Sequence, residues 1–267
     1  PEVDADLVKP LHKRLANLFD AIQLDSLVTE LKSTKDGIVA SMEINGESQT
    51  QCFDTVLIAV GRRPNTGCLG LEATQVEQDE RGFLRHNSKM QTDDPRILVA
   101  GDAAGIPMLA HKASHEGRIA AEVVLGESAE FDPQAIPAVV FTDPEIAYAG
   151  LTAREAQASG VSFETAVYPW AASGRAQSLT RTEGLTKWLV DPQTRRLLGC
   201  GIVGLGAGEL IAEAVLAIEM GAVVGDLGES IHPHPTLSET MMHAAHALEG
   251  TATEIYKPRR DRKPPAK

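Results

Sequence analysis

Cysteine is scarce in this chain: Cys52, Cys68 and Cys200 stand far apart, and none belongs to a Cys-x-x-Cys pair. Three scattered thiols cannot build a disulfide framework, which points to a reducing, cytoplasmic compartment. Positive charge is also short. With 25 Lys+Arg against 37 Asp+Glu the net charge is −12, which argues against broad nucleic-acid binding. Long apolar runs are missing. The most apolar stretch, Gly201 to Gly225, is interrupted by Glu209, Glu213 and Glu219, so no membrane span is expected. No basic-then-apolar leader, internal repeat or initiator Met is present. The chain opens on a helical pattern with no strand before it, and parallel strands need earlier partners. An upstream segment is therefore expected.

What is there is an ordinary globular composition, 43% hydrophobic and 23% charged over 267 residues, enough for about two domains at roughly 150 residues each. Leu7, Leu11, Leu15 and Leu18 recur at helical spacing, with Asp4 or Asp6 able to cap the start. Short β-like runs follow at Ser26 to Leu31, Ile38 to Ile44 and Gln51 to Val60, punctuated by Lys35-Asp36-Gly37 and Asn45-Gly46. Within the last, the continuous run Thr55 to Val60 predicts a buried strand. Ile97 to Ala100 predicts a second, running into Gly101-Asp102, and His111 to Leu125 reads as a helix. Beyond Phe131-Asp132-Pro133 the pattern changes. Strands at Ala138 to Phe141, Phe163 to Tyr168, Leu185 to Val190 and Leu197 to Val203 interleave with helices at Thr152 to Ala158, Glu209 to Met220 and Pro235 to Leu248. That mixture predicts an α+β domain with an antiparallel sheet. The last residues, KPRRDRKPPAK, carry six basic residues, one acid and three prolines, and read as a disordered tail.

Several motifs could carry chemistry. In His232-Pro233-His234-Pro235-Thr236-Leu237-Ser238-Glu239, Pro235 suits a first helical position, leaving His234 at the helix entry. Glu239 can then fold back and accept a hydrogen bond from the imidazole, as a general base requires. A capping histidine beside an ordinary surface glutamate is the plainer alternative. A metal set from His232, His234, His243 and His246 fails on spacing, so no metal is expected. Asp102 ends a strand at a glycine and faces the next helix's free N–H groups, which suits a polar or anionic ligand, although a helix-capping Asp fits equally. Ala59-Val60-Gly61-Arg62 is a strand end that a ligand could approach. Gly204 to Gly208 lacks the context of a phosphate loop and reads as a turn. His111 and His115 have metal-like spacing but no third ligand.

GDAAGIPMLAHKASHEG, AVVFTDPEIAYAGLT, YPWAASGRAQSL and HPHPTLSE occur in this order. Together they resemble the C-terminal part of the dihydrolipoamide dehydrogenases, a family of flavoprotein disulfide oxidoreductases, over essentially the whole chain. MLAHKA with HPHPTLSE looks like the lipoamide branch; glutathione and trypanothione reductases share only the HPT-x-x-E core, and mercuric reductases lack the histidine. The resemblance implies an α/β plus α+β architecture. Residues 1–64 would be the end of a Rossmann-like NAD-binding domain, 65–132 a central FAD-contacting segment, 133–253 an interface domain, and 254–267 the basic tail. It implies His234 as base and Glu239 as its orienting carboxylate, Asp102 on the ribityl chain of FAD, and Met108, Leu109, Ala110 and His111 lining the flavin. It implies Ala59, Val60, Gly61 and Arg62 near NAD, with Val28 near the adenine. It also implies a homodimer that acts on dihydrolipoamide borne by the acyltransferase of a 2-oxo acid dehydrogenase complex, with no nucleic-acid or membrane partner. The chain departs from the family pattern in lacking the FAD-binding GxGxxG, the Cys-x-x-x-x-Cys redox pair and the glycine-rich NAD loop. Alone it should have no turnover. Two other readings stay open: a glutathione-reductase-like enzyme of the same architecture, or a non-catalytic dimerisation and docking module.

Overall fold

The computed structural model describes residues 3–255; the predicted tail from 256 onward lies outside the described residues. Helix α1 (Ala5–Leu15) buries Leu7 and Leu11. Asp4 stands at its N-cap position but does not cap it. The Asp4 carboxylate instead accepts from the backbone N–H groups of Ala153 (3.1 Å) and Arg154 (3.3 Å), at the start of α3 (Ala153–Ala158). Lys187 Nζ donates to Asp4 (2.6 Å) and Asp6 (2.7 Å), and burial of the ammonium makes this tie costly to break. Leu7 packs so closely over Gly201 that a Cβ there would come within 2.5 Å of its Cδ1.

Strands β1 (Ser26–Thr34), β2 (Gly37–Ile44) and β3 (Glu47–Phe53) form an antiparallel meander in the order β1-β2-β3. Asn45 (φ 52°) and Gly46 (φ 84°) both adopt positive φ at the second hairpin, as a two-residue primed turn demands. The run at residues 55–60, expected to be a buried strand, is not one. It has no regular structure, and Leu57 and Val60 are 90% and 94% exposed. Among the described residues no strand lies beside it, so its backbone has no ladder and its side chains no cover. The strand expected at Ile97 to Ala100 is likewise reduced to one bridge, Gln91 with Leu98, although Val99 is buried in a small cluster with Val76 and Leu84. Helix α2 (Ala110–Val124) follows.

The C-terminal unit is a five-stranded antiparallel sheet in the order β4-β5-β8-β7-β6: β4 (Ala138–Val140), β5 (Glu145–Gly150), β6 (Glu164–Pro169), β7 (Leu185–Val190) and β8 (Leu197–Gly204). Helices α4 (Gly174–Ser178), α5 (Ala207–Glu219), α6 (Val224–Glu229) and α7 (Glu239–Glu249) complete it. Side chains alternate across the sheet. Ala147, Ala149, Cys200 and Ile202 share one core with Ile211 and Ala214 of α5 and Met241 and Ala244 of α7. Ile146 and Val203 point the other way, into a cluster with Leu7 and Leu11. Helix α1 therefore packs on the second face of this sheet. The expected α+β unit is present; β5, α4 and α6 are elements the sequence reading did not foresee.

Candidate functional site

The loop between α6 and α7 carries the histidine motif. Pro235 does not open α7: the helix begins at Glu239 with Ser238 at its N-cap, and the His234–Pro235 peptide is cis. The carboxylate still reaches back. Glu239 Oε1 lies 2.9 Å from His234 Nδ1, and Oε2 accepts from the Thr236 N–H at 2.8 Å. Thr236 Oγ1 donates to Pro233 O and meets Ser238 Oγ at 2.8 Å, closing the loop on itself. Thr240, the next residue of α7, bonds Thr186 of β7 (2.8 Å), which receives the Trp170 Nε1–H. The carboxylate thus stands on a helix end pinned to the sheet.

The pair divides between interior and solvent: the Glu239 side chain is 11% exposed and that of His234 78%. Burial pushes the Glu239 carboxyl up, but the Thr236 N–H and the His234 imidazole outweigh it and hold the group below its ordinary value. An ionised carboxylate has no proton to give, so His234 donates from Nδ1, and in the neutral ring the lone pair is then on Nε2. One turn along α7, His243 stacks on Tyr168 with ring centroids 5.0 Å apart. Burial lowers the His243 value and pushes the Tyr168 hydroxyl up to about 12.

His232 does what the sequence reading missed. Its ring is buried, with Nδ1 2.9 Å from Ser230 O and Nε2 2.8 Å from Glu213 on α5. It ties the loop to α5, whereas Glu239 holds it from α7. The alternation His-x-His on either side of a proline was the available signal, since neighbours two apart in an extended loop can face different environments. Among the described residues no cluster suited to a metal ion occurs.

A second constellation surrounds Asp102. It lies in a 3-10 turn, Gly101–Ala103, and does not cap α2. Its Oδ2 accepts from Arg62 Nη2 at 2.8 Å, while Arg62 Nη1 reaches Met108 O at 3.5 Å. Three predicted site residues from two motifs are thereby joined. Helix α2 has Leu109 at its N-cap and no side-chain cap, so the N–H groups of Ala110 and His111 have no helical acceptor. The His111 ring is engaged elsewhere, at 2.7 Å from Pro137 O. Ala59, Val60 and Gly61 are exposed, and nothing stands within 4 Å of where a Gly61 Cβ would be. Val28 is an exposed residue of β1, paired with Met42 across the meander; no described contact brings it to Asp102. Beneath the Asp102 loop lies a buried Lys112–Glu116 ion pair that the sequence reading also missed. The only signal for it was a Lys and a Glu four apart on a helix of small residues.

Cys52 and Cys68 are exposed and unpaired, and Cys200 is buried, its thiol raised by burial and so unreactive. Gly204 to Gly208 is the turn from β8 into α5.

The family model "Pyridine nucleotide-disulphide oxidoreductase" matches residues 1–117, and its "dimerisation domain" model matches residues 136–245. A dihydrolipoyl dehydrogenase of Vibrio cholerae is 45% identical over 256 residues, covering 96% of this chain and 54% of that protein. One of Thermus scotoductus is 45% identical over 257 residues, covering 96% and 56%. The crystal structure of LpdA from Mycobacterium tuberculosis superposes with a TM-score of 0.85 at 28% identity, over 93% of this chain and 54% of that one. The HOCl-induced flavoprotein disulfide reductase RclA of Escherichia coli gives 0.81 at 26% identity, over 90% and 55%. The chain spans about half the length of the curated relatives it matches.

Proposed function

This chain belongs to the pyridine nucleotide-disulphide oxidoreductases, and from that premise we propose that it forms the C-terminal part of an FAD-dependent dihydrolipoamide:NAD⁺ oxidoreductase. The observation that carries the reading is the His234–Glu239 pair, an exposed imidazole with a free Nε2 held by a buried carboxylate. Thiols are poor nucleophiles until deprotonated. His234 Nε2 takes the proton of a dihydrolipoamide thiol, and Glu239 steadies the resulting imidazolium at Nδ1. A base so placed is worth roughly 10²–10⁴-fold in rate.

The Asp102 constellation fits a flavin. A part-exposed carboxylate linked through Arg62 to Met108, just before a helix start without a side-chain cap, suits a ligand with hydroxyls and ring carbonyls. Asp102 would hold the ribityl chain of FAD, with Met108, Leu109, Ala110 and His111 along the flavin. FAD, when bound, supplies the relay of electrons from thiols to NAD⁺. For NAD the chain offers the open edge at Ala59, Val60, Gly61 and Arg62, and Val28 toward the adenine. In this reading residues 1–64 close the NAD-binding domain, 65–132 contact FAD and 133–253 form the interface.

The working unit would be a homodimer acting in a reducing, cytoplasmic compartment. Ile231, three residues before the base, is 99% exposed, an apolar side chain that a second copy would cover. Across that interface His234 would serve the flavin and disulfide of the other subunit. The same domain would dock the acyltransferase of a 2-oxo acid dehydrogenase complex.

The test is a chimera in which this chain replaces the matching segment of the Vibrio cholerae relative. It should oxidise dihydrolipoamide with NAD⁺, while the 267-residue chain by itself should not. His234→Gln in the chimera should cost roughly 10²–10⁴-fold in kcat. Near-normal turnover in that variant would overturn the assignment.

A further inference from the structure

The charged pair inside α2 has no part in the chemistry above, yet it is among the most thoroughly enclosed in the molecule. Lys112 Nζ and Glu116 Oε1 are 2.6 Å apart, with side chains 5% and 1% exposed. A surface i,i+4 pair contributes a few tenths of a kcal/mol. A buried one must repay the desolvation of both ions, and apolar residues of the same size commonly stabilise as well or better. What the charges do beyond pairing is therefore the informative question.

Each ion also binds one end of the Asp102 loop. Glu116 Oε2 accepts from the Gly101 N–H at 2.7 Å, and Lys112 Nζ donates to Gly105 O at 3.3 Å. Both ends are glycines at positive φ, +79° and +141°. At Gly101 an added Cβ would press to 3.1 Å on Ala113 Cβ, so loop and helix abut there. Two carbonyls between are also taken: Ala103 O by the Leu84 N–H at 2.8 Å, and Ala104 O by His86 Nε2 at 3.0 Å. With three successive carbonyls held, the Asp102 carboxylate, part-exposed and paired with Arg62, is the loop's side-chain group for a ligand to meet.

We propose that Lys112 and Glu116 are positioning residues. Their ion pair clamps the loop 101–105 at both ends and so sets where Asp102 meets a ligand hydroxyl. That Asp102 receives the flavin's ribityl chain rests on the reading given under Proposed function; the clamp itself does not.

Amide hydrogen exchange on the 267-residue chain tests the clamp. In Lys112→Met/Glu116→Leu, an apolar pair able to fold in place of the ions, the Gly101 and Ala104 amides should exchange at least about tenfold faster. Amides of β7 and β8 should keep their protection. Glu116→Gln provides the second variant: its amide oxygen can still accept from Gly101, so protection at that amide should fall less than in the double variant. Unchanged exchange at Gly101, or acceleration shared equally by the sheet, would overturn the proposal. In the chimera, FAD retained per chain, read by absorbance after gel filtration, separates the two ideas. Asp102→Ala and the double variant should each lower it by about tenfold. A loss in Asp102→Ala without one in the double variant would sink the positioning role. No loss in Asp102→Ala would sink the flavin reading instead, leaving the exchange experiment to decide the clamp.

Discussion

The two ends of the chain spend their apolar residues differently. In the C-terminal unit Trp170, Trp188, Ile202 and Met241 are wholly buried between sheet and helices, and the close fit reaches the backbone: Gly184 and Gly204 have no room for a Cβ against Trp170. Between α1 and α2, Phe19, Leu24, Leu57 and Val60 lie exposed, and β1 is exposed along its whole length. The first region holds its own shape by packing. The second presents apolar surface that further protein would cover. The two candidate sites divide accordingly: Glu239 stands on α7, within the packed part, whereas Asp102 is held through its loop by α2, outside it.

If that contrast is real, truncations should register it in order of burial. Trp170→Ala should destabilise by about 3–5 kcal/mol, seen as a lower urea midpoint; a loss below about 1 kcal/mol would break the comparison. Leu7→Ala comes next, at about 2–4 kcal/mol, because α1 belongs energetically to the C-terminal sheet. A value near zero would return α1 to the loose region. Asp4 should give a smaller, pH-dependent effect. Although burial raises its carboxyl, Lys187 and the Ala153 N–H more than offset this and lower it from the ordinary 3.8. A depressed carboxylate stabilises above its unfolded value and loses that contribution as the pH falls through its folded one. The stability gap between wild type and Asp4→Asn should therefore be widest near neutrality and shrink below about pH 4. A pH-independent gap would rule out the charge as its source. Smallest of all, Leu57→Ser should change stability by no more than about 0.5 kcal/mol.

What could be read from the sequence was what local geometry decides. The reach from His234 to Glu239 spans five residues, and it survives even though Pro235 does not start the helix. The C-terminal strands show because their periodicity reflects real burial, though β5, EIAYAG, escaped for want of a long apolar run. Thr55 to Val60 misled for the converse reason: an apolar run signals the wish for burial, whereas burial requires a neighbour. The Lys112–Glu116 clamp and the His232 anchor were hidden because a charged residue's depth depends on what the rest of the chain lays over it. Of the two acids expected to cap α1, Asp4 instead accepts from the first N–H groups of α3, 149 residues away.

That last contact bears on how the molecule assembles. Lys187 and Asp4 are 183 positions apart, so joining them closes a very large ring of chain, and such distant encounters come late in folding. The antiparallel sheet, whose widest pairing is β5 with β8, closes smaller loops and should form first, offering Gly201 as a ready seat. Weakening the Leu7 contact should then leave the refolding rate almost untouched and show itself in faster unfolding.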